Sequence, residues 1–212
     1  NTTQDAYAWY NKGLALNSAG KYDEAIKALD KALEIDPNDA VTWNTKGVAL
    51  NHQGKYVEAI QASEKAIEID PNYASAWNSK GYALDHQGKH VEAIQALDKA
   101  LEIDPNFDAA WNIKGEALNN LGRYDEAIQA FDKAIEINPK YILAWNNKGL
   151  TLIYLGEYDE AIQAFDKALE IDPNDASAWI NKVTALDHQG EHDGAILASE
   201  KALEIDPNDA SA

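Results

Sequence analysis

The sequence contains neither cysteine nor methionine, and it has only half as many basic as acidic residues. Without cysteine the chain can form no disulfide, thiolate nucleophile or thiolate metal site. Lys and Arg number 18 against 36 Asp and Glu, which gives a formal net charge of -18. This balance argues against nucleic acid and against an anionic membrane surface, because both require clustered basic side chains. Electrostatic steering favours basic or neutral partners instead.

Long apolar segments are also missing. The chain contains neither an apolar run of membrane-spanning length nor a recognisable secretory signal. We therefore expect a cytoplasmic protein that does not bind membranes. Because the chain does not begin with methionine, we expect it to be a piece of a longer protein or a processed product.

What the sequence does contain is a period of 34 residues. The tryptophans recur at this step, as Trp9, Trp43, Trp77, Trp111, Trp145 and Trp179. The prolines keep the same step, as Pro37, Pro71, Pro105, Pro139, Pro173 and Pro207. Such a period with two helical patterns inside it is typical of a solenoid of helical hairpins, in which each unit mainly contacts its neighbours. We interpret the tryptophans as core residues of these hairpins.

Each period predicts two antiparallel helices of about 12 to 14 residues joined by a short turn. In the block 40–73 the first helical pattern ends at Gly54, and Pro71 prevents the second helix from continuing. Glycine can adopt the left-handed conformation that commonly ends a helix. The glycines predicted to do so are Gly20, Gly54, Gly88, Gly122, Gly156 and Gly190.

The repeated pattern W-N-x-K-G-x-A-L, followed by G-x-Y-x-E-A-I-x-A-x-x-K-A-I-E-I-D-P, resembles the tetratricopeptide repeat family. The resemblance implies an all-α, right-handed superhelical solenoid of six helix-turn-helix repeats. The predicted repeats are 6–39, 40–73, 74–107, 108–141, 142–175 and a divergent sixth, 176–209. Residues 1–5 form a lead-in, and residues 210–212 begin a further repeat.

The chain departs from the family pattern in two ways. The family has a leucine three residues after the tryptophan, whereas this chain always has lysine, whose alkyl stem can cover apolar surface while its ammonium reaches water or a carboxylate. In the sixth repeat, Val183 replaces the glycine found where the two helices approach closely, and Gly194 lies inside the second helix. Glycine there lowers helix stability by about 1 kcal/mol.

The resemblance also implies a concave groove that binds peptides, lined by one stripe of the first helix in each repeat. On this stripe we predict a polar ladder that holds the backbone of a partner, since asparagine both donates and accepts hydrogen bonds. The polar ladder consists of Asn11, Asn44, Asn78, Asn112, Asn146, Asn147 and Asn181. The alternative is that these are solvated polar positions that serve only helix-surface contacts.

The fifth repeat interrupts the ladder with apolar side chains. The predicted apolar patch consists of Ile113, Leu143, Leu150, Ile153, Tyr154 and Ile180. An exposed patch of this kind usually marks an interaction site. Because it lies at the edge of the most acidic part of the chain, we expect a partner with an apolar anchor and basic flanks. The alternatives are repeat drift, or contact with another copy or a missing segment.

Other chemistry is disfavoured. His86 and His90, and likewise His188 and His192, are four residues apart, but a turn glycine separates each pair, so we predict polar turn residues and no metal site. We find no nucleophile motif and no phosphate-binding loop, and we expect no cofactor. The stripe has no Lys or Arg, so it lacks the carboxylate clamp with which some family members grip acidic chaperone tails.

We therefore predict a non-enzymatic scaffold that binds a peptide or a partner protein in the concave groove. One alternative is the targeting or regulatory domain of a larger enzyme. A second is end-to-end self-association, because the apolar face of the last hairpin, with Ile196, Leu203 and Ile205, lacks the polar capping helix usual in the family.

Overall fold

The computed structural model describes residues 2–207, which form helices joined by short turns. The chain divides into two compact units, Asn1–Asn106 and Phe107–Ala212. The helices of the first unit are α1 (Thr2–Ser18), α2 (Tyr22–Ile35), α3 (Ala40–His52), α4 (Tyr56–Ile69), α5 (Ala74–His86) and α6 (His90–Ile103). Those of the second unit are α7 (Asp108–Asn120), α8 (Tyr124–Ile137), α9 (Ile142–Leu155), α10 (Tyr158–Ile171), α11 (Ala176–Gln189) and α12 (His192–Ile205).

Each unit is a stack of three helical hairpins, which agrees with the predicted all-α solenoid of helix-turn-helix repeats. The predicted lead-in is part of α1, which begins at Thr2. The predicted start of a further repeat, 210–212, lies outside the described residues.

A left-handed glycine separates the two helices of each hairpin. All six predicted glycines have φ between 71° and 79°. In the second hairpin, Gly54 donates its N–H to Asn51 O at 3.0 Å, and the N–H of Lys55 bonds Leu50 O at 2.9 Å. These bonds satisfy carbonyl groups that the end of the helix leaves free. The prediction that these glycines end the first helices is confirmed.

Inside the hairpin, a second glycine brings the two helices together. A Cβ atom built on Gly149 would lie 2.5 Å from Cε1 of Phe165, which is fully buried. In the sixth repeat, Val183 stands at the glycine position, and Ser199 stands where the preceding repeat has Phe165. In the sixth repeat the larger side chain of this contact is therefore on the first helix and the smaller one on the second. Val183 can replace the glycine because Ser199 is smaller than the Phe165 of the preceding repeat.

We expect Gly149→Ala to lower the free energy of unfolding by roughly 1–3 kcal/mol, the usual effect of overpacking a core. Gly47→Ala is the matched control, because the nearest atom to its Cβ would be Oγ of Ser63 at 3.1 Å. There the gain in helix propensity, about 1 kcal/mol, opposes the crowding. Denaturant unfolding of both variants measures the difference, and equal losses would contradict this account of the close approach.

Neighbouring hairpins are joined by the periodic tryptophans and lysines. The indole Nε1 of Trp145 donates to Pro139 O at 3.0 Å, and the same bond joins Trp43 to Pro37 at 2.9 Å. Lys148 lies with its Nζ 5.8 Å from the centre of the Trp145 ring, and that Nζ is 2.6 Å from Oδ1 of Asp132 in the preceding hairpin. Tryptophan and proline share one period because the tryptophans of α3, α5, α9 and α11 anchor these helices to the linkers that precede them.

The lysines that replace the family's leucine therefore reach carboxylates, as their position in the sequence predicted. The ion pairs that repeat the Lys148 contact are Lys46–Asp30 at 2.6 Å, Lys80–Glu64 at 3.0 Å and Lys182–Asp166 at 2.6 Å. Each pair joins a first helix to the second helix of the hairpin before it. The lysine contributes both a covering stem and a charge to the junction.

Candidate partner-binding surface

The first helices of neighbouring hairpins contact one another in each unit. In the first unit α3 contacts α1 and α5, and in the second unit α9 contacts α7 and α11. The predicted stripe lies on these helices, and we call the side that it occupies the first-helix face of each unit. The polar ladder and the apolar patch are both assigned to it by their sequence register.

In the first unit, the ladder residue Asn44 serves the junction between hairpins. It is only 6% exposed, and its Oδ1 accepts a hydrogen bond from Oγ of Ser79 in the next hairpin at 2.9 Å. Its Nδ2 lies 3.5 Å from the hydroxyl of Tyr73. Asn78 is half-buried and Asn11 is exposed. The middle ladder residue of this unit therefore joins α3 to α5.

In the second unit the ladder forms a polar network between α7 and α9. The amide of Asn147 donates to Oδ1 of Asn112 at 3.1 Å and to Oε1 of Glu116 at 2.8 Å. Asn112 also donates to Glu116, at 2.9 Å. One turn further along, Nδ2 of Asn119 lies 2.7 Å from Oγ1 of Thr151. Such a network orients one first helix on the next, because each buried polar group needs its partner.

The structure therefore corrects part of the predicted ladder. Asn44, Asn112 and Asn146 are buried, since the next hairpin covers them; for Asn146 the covering partner is Asp175, whose Oδ2 accepts at 2.7 Å. Two helices that pack closely leave their facing positions no access to a ligand. The ladder residues with exposed or half-buried side chains are Asn11, Asn78, Asn147 and Asn181.

The apolar patch is divided in a similar way. Ile113, expected at the surface, is only 8% exposed and belongs to the core. Leu150 and Ile153 are half-buried and pack against the core cluster that contains Phe165. Leu143 and Tyr154 are 59% and 63% exposed, respectively.

Ile180, the last patch residue, is half-buried on α11. The accessible part of the patch therefore rests mainly on the two ends of α9, at Leu143 and Tyr154.

Aromatic contacts hold the ends of α3, α5, α9 and α11 against the hairpin before each of them. Tyr154 stacks on Tyr124 with ring centres 5.5 Å apart. In other repeats a histidine takes the place of Tyr154, as in the pairs Tyr22–His52 at 4.9 Å, Tyr56–His86 at 5.1 Å and Tyr158–His188 at 5.1 Å. The sequence analysis did not identify Tyr124, although the recurrence of an aromatic residue at the start of the second helices was a usable signal.

The histidines singled out in the sequence have structural partners. His86 stacks on Tyr82 and contacts the ring of Tyr56 at a tilt, while Nδ1 of His90 lies 2.6 Å from the buried carboxylate of Asp85. Among the residues that the structure describes, no group of three or more His, Asp or Glu side chains is arranged to hold a metal ion.

Two half-buried tyrosines, Tyr73 and Tyr141, lie beside the first helices, and their partial burial changes the pKa of each hydroxyl. Desolvation raises the pKa of Tyr141 to about 12, and the negative charges of Asp108 and Glu116 act in the same direction. Desolvation also raises the pKa of Tyr73, although the hydrogen bond with Asn44 opposes the shift. Both hydroxyls are therefore held in their neutral form at the edge of the first-helix face.

A tyrosine whose pKa is higher in the folded than in the unfolded chain stabilises the fold below pH 10 and loses this effect as the pH rises towards 12. We therefore expect the free energy of unfolding to fall across that window, and to fall less steeply in Tyr141→Phe. Urea unfolding at a series of pH values measures the slope. An unchanged slope in Tyr141→Phe would show that this hydroxyl is not the group responsible.

The stacked hairpins and their repeated junctions define a helical repeat protein. Sequence models described as tetratricopeptide repeat match residues 6–39, 74–107, 109–141 and 142–175, and also 28–61 and 164–196. A model described as TPR repeat matches 47–88. The chain belongs to the tetratricopeptide repeat family, a class of protein-interaction scaffolds. Membership points to a non-catalytic interaction module.

Solved structures agree with this assignment. A crystal structure of MamA is 30% identical, covers 78% of this chain and 97% of its own, and superposes with a TM-score of 0.69. YrrB, described as a TPR protein with an unusual peptide-binding site, is 25% identical over 88% of this chain and 96% of its own, with a TM-score of 0.66. PilF of Pseudomonas aeruginosa, 21% identical over 99% of this chain and 96% of its own, shares the fold with a TM-score of 0.83.

The curated proteins contain no significant match to the chain. Among the described residues, no helix combines the length and the apolar character needed to cross a membrane.

Proposed function

We propose that this protein is a non-enzymatic scaffold that binds a peptide or an extended segment of a partner protein on the first-helix face of its second unit. The observation that carries the proposal is the exposure of Leu143 and Tyr154, at 59% and 63%, on a face that is otherwise largely polar. The two side chains lie at the two ends of α9, about 16 Å apart along the helix axis, so an extended segment laid along α9 can contact both. The peptide-binding site described for YrrB, at 25% identity, supports a peptide ligand.

The ligand is expected to carry an apolar anchor and basic flanks. Leu143 and Tyr154 would contact the anchor, while the amide of Asn181 would hydrogen-bond the ligand backbone. Asn147 could contribute only its carbonyl oxygen, because its Nδ2 donates to Asn112 and Glu116. The formal charge of -18 favours basic flanks. The cytoplasmic location expected from the sequence also remains a prediction.

The double variant Leu143→Ser/Tyr154→His tests the surface without disturbing the fold. Serine is the residue at the Leu143 register in repeats three and six, and histidine keeps the stacking seen in Tyr158–His188. Peptides selected from a random display library on the wild-type protein should bind the variant at least about tenfold more weakly, because burying one large apolar side chain is worth about 1.5–3 kcal/mol. Calorimetric titration measures the dissociation constants.

Val41→Ser is the control, because Val41 is 43% exposed at the Leu143 register of the second repeat and lies in the first unit. Its affinity for the selected peptides should equal that of the wild type. If the selected peptides bind the double variant as tightly as the wild type, Leu143 and Tyr154 are not part of the binding surface and the proposal is wrong. Circular dichroism melting confirms that each variant is folded.

A second candidate function, self-association, is supported by the exposed face of the last described hairpin. Leu203 is 41% exposed, whereas Leu169, at the same register one repeat earlier, is 7% exposed. Ile196, 59% exposed, lines a cavity of about 620 Å³ together with Leu203 and Val183. We propose that a hairpin from a second copy can stack here, as the hairpins of one chain stack on one another.

Light scattering over a concentration series tests the stacking. The wild-type mass should increase with concentration, and Ile196→Lys/Leu203→Lys should remain a monomer because two buried charges would oppose the contact. Val91→Lys, at an apolar residue of α6 that is 57% exposed, is the control and should behave as the wild type. A wild-type mass that stays constant would exclude self-association.

A further inference from the structure

A second surface lies on the other side of the second unit. Helices α8 and α10 enclose a groove of about 920 Å³, whose floor is formed by Trp145 and Leu152 of α9. Ile128 of α8 and Ala164 of α10 line its walls. Sites that bind ligands usually measure about 300–1,000 Å³, so the groove is large enough for several side chains. We call it the second-helix groove.

The shape of the second-helix groove suits a polypeptide segment. Its lining residues on the α10 side run from Glu157 to Glu170, which corresponds to about 20 Å along a helix axis. The floor is apolar, and the groove is open to solvent along one side. A long, open groove with an apolar floor can receive one face of a helical or extended segment.

One end of the groove carries carboxylates without counter-charges. Asp125 lies in the first turn of α8, Glu160 in the first turn of α10, and Glu157 directly precedes α10. Because α9 runs antiparallel to both helices, Leu152, near its end, lies on the floor at this acidic end. None of the three carboxylates forms an ion pair within the described part of the chain, so their field acts on solvent and on approaching ligands.

Charges at the other end of the groove are largely neutralised. Nζ of Lys167 lies 2.9 Å from Glu170, and Nζ of Lys148 lies 2.6 Å from Asp132. Asp166 accepts from Lys182 at 2.6 Å. The charge is therefore distributed unevenly along the groove, with unpaired carboxylates at the end near Leu152 and paired charges near Trp145.

The acidic end is specific to this part of the chain. The residue before the second helix is basic in the first four repeats, as Lys21, Lys55, Lys89 and Arg123, and it becomes glutamate at Glu157 and Glu191. Of these two glutamates, Glu157 lines the groove. The repeat pattern alone would have placed a lysine or arginine there, where it would repel a basic ligand.

We propose that the second-helix groove binds a basic amphipathic segment of a partner protein. The apolar side chains of the segment lie between α8 and α10 over Trp145 and Leu152. Its Lys and Arg side chains lie at one end, beside Asp125, Glu157 and Glu160. This site is independent of the first-helix face, and a protein with both sites holds two segments at once.

Two synthetic peptides of 14 residues, the length of α10, test the proposal. Both are amphipathic helices with the same Leu and Trp face, and their polar residues near one end are Lys and Arg in the first peptide and Glu in the second. The basic peptide should bind the full chain, and the acidic one should not. Binding should weaken as salt is added, because exposed charges are screened. Failure of the basic peptide to bind overturns the proposal.

Glu157→Lys and Glu191→Lys separate the groove from general attraction by a negatively charged protein. Each variant changes the net charge equally and at the same register, but only Glu157 lines the groove. Glu157→Lys should weaken binding of the basic peptide at least about tenfold, since like charges placed together are strongly unfavourable. Glu191→Lys should have a much smaller effect. Equal losses would show only general electrostatic attraction and overturn the site.

Chemical-shift mapping with the basic peptide locates the contact. The shifts should fall on the lining residues of α8 and α10 and on the indole Nε1–H of Trp145. The shifts at the lining residues of the second-helix groove should persist in Leu143→Ser/Tyr154→His, because its substitutions remove contacts on the first-helix face only. Shifts confined to that face, or loss of binding in this variant, would overturn the assignment to the second-helix groove.

Discussion

Every other feature of this protein depends on the docking of one helical hairpin on the next. A single hairpin leaves apolar side chains such as Leu169 uncovered, and the following hairpin buries them. The docking is oriented by polar contacts: the Trp145 indole bonds the preceding linker, and Lys148 reaches a carboxylate of the preceding hairpin. Because these contacts repeat with the 34-residue period, each junction positions the next in the same way.

This docking gives the two sides of a unit different properties. First helices contact their neighbours closely, so the polar side chains between them, such as Asn112 and Asn147, bond one another and the adjacent Glu116. The second helices α8 and α10 are separated by a groove, with Trp145 and Leu152 between them. A ligand can therefore reach only the side chains at the ends and edges of the helices on the first-helix face. On the other side of the second unit it can enter the second-helix groove. Both properties follow from the same packing.

Departures from the period carry most of the information about function. Leu143 and Tyr154 stand where most other repeats carry small or polar residues on the first-helix face, and Glu157 replaces a basic residue beside the second-helix groove. Residues that keep the period, such as the tryptophans, mainly join neighbouring hairpins, although Trp145 also forms part of the groove floor. The valine that replaces glycine at position 183 is accommodated by the small side chain of Ser199, so this departure from the period affects packing and not binding.

The sequence by itself determined the helical hairpins, their number and the family, because period, glycine and proline act locally and each junction is repeated. It also predicted an exposed apolar patch, of which Leu143 and Tyr154 are exposed in the structure. Only the tertiary structure decided that Asn44, Asn112, Asn146 and Ile113 are covered and that a groove opens between α8 and α10. Helical periodicity shows which residues share a face, but the neighbouring helix decides how much of that face stays open.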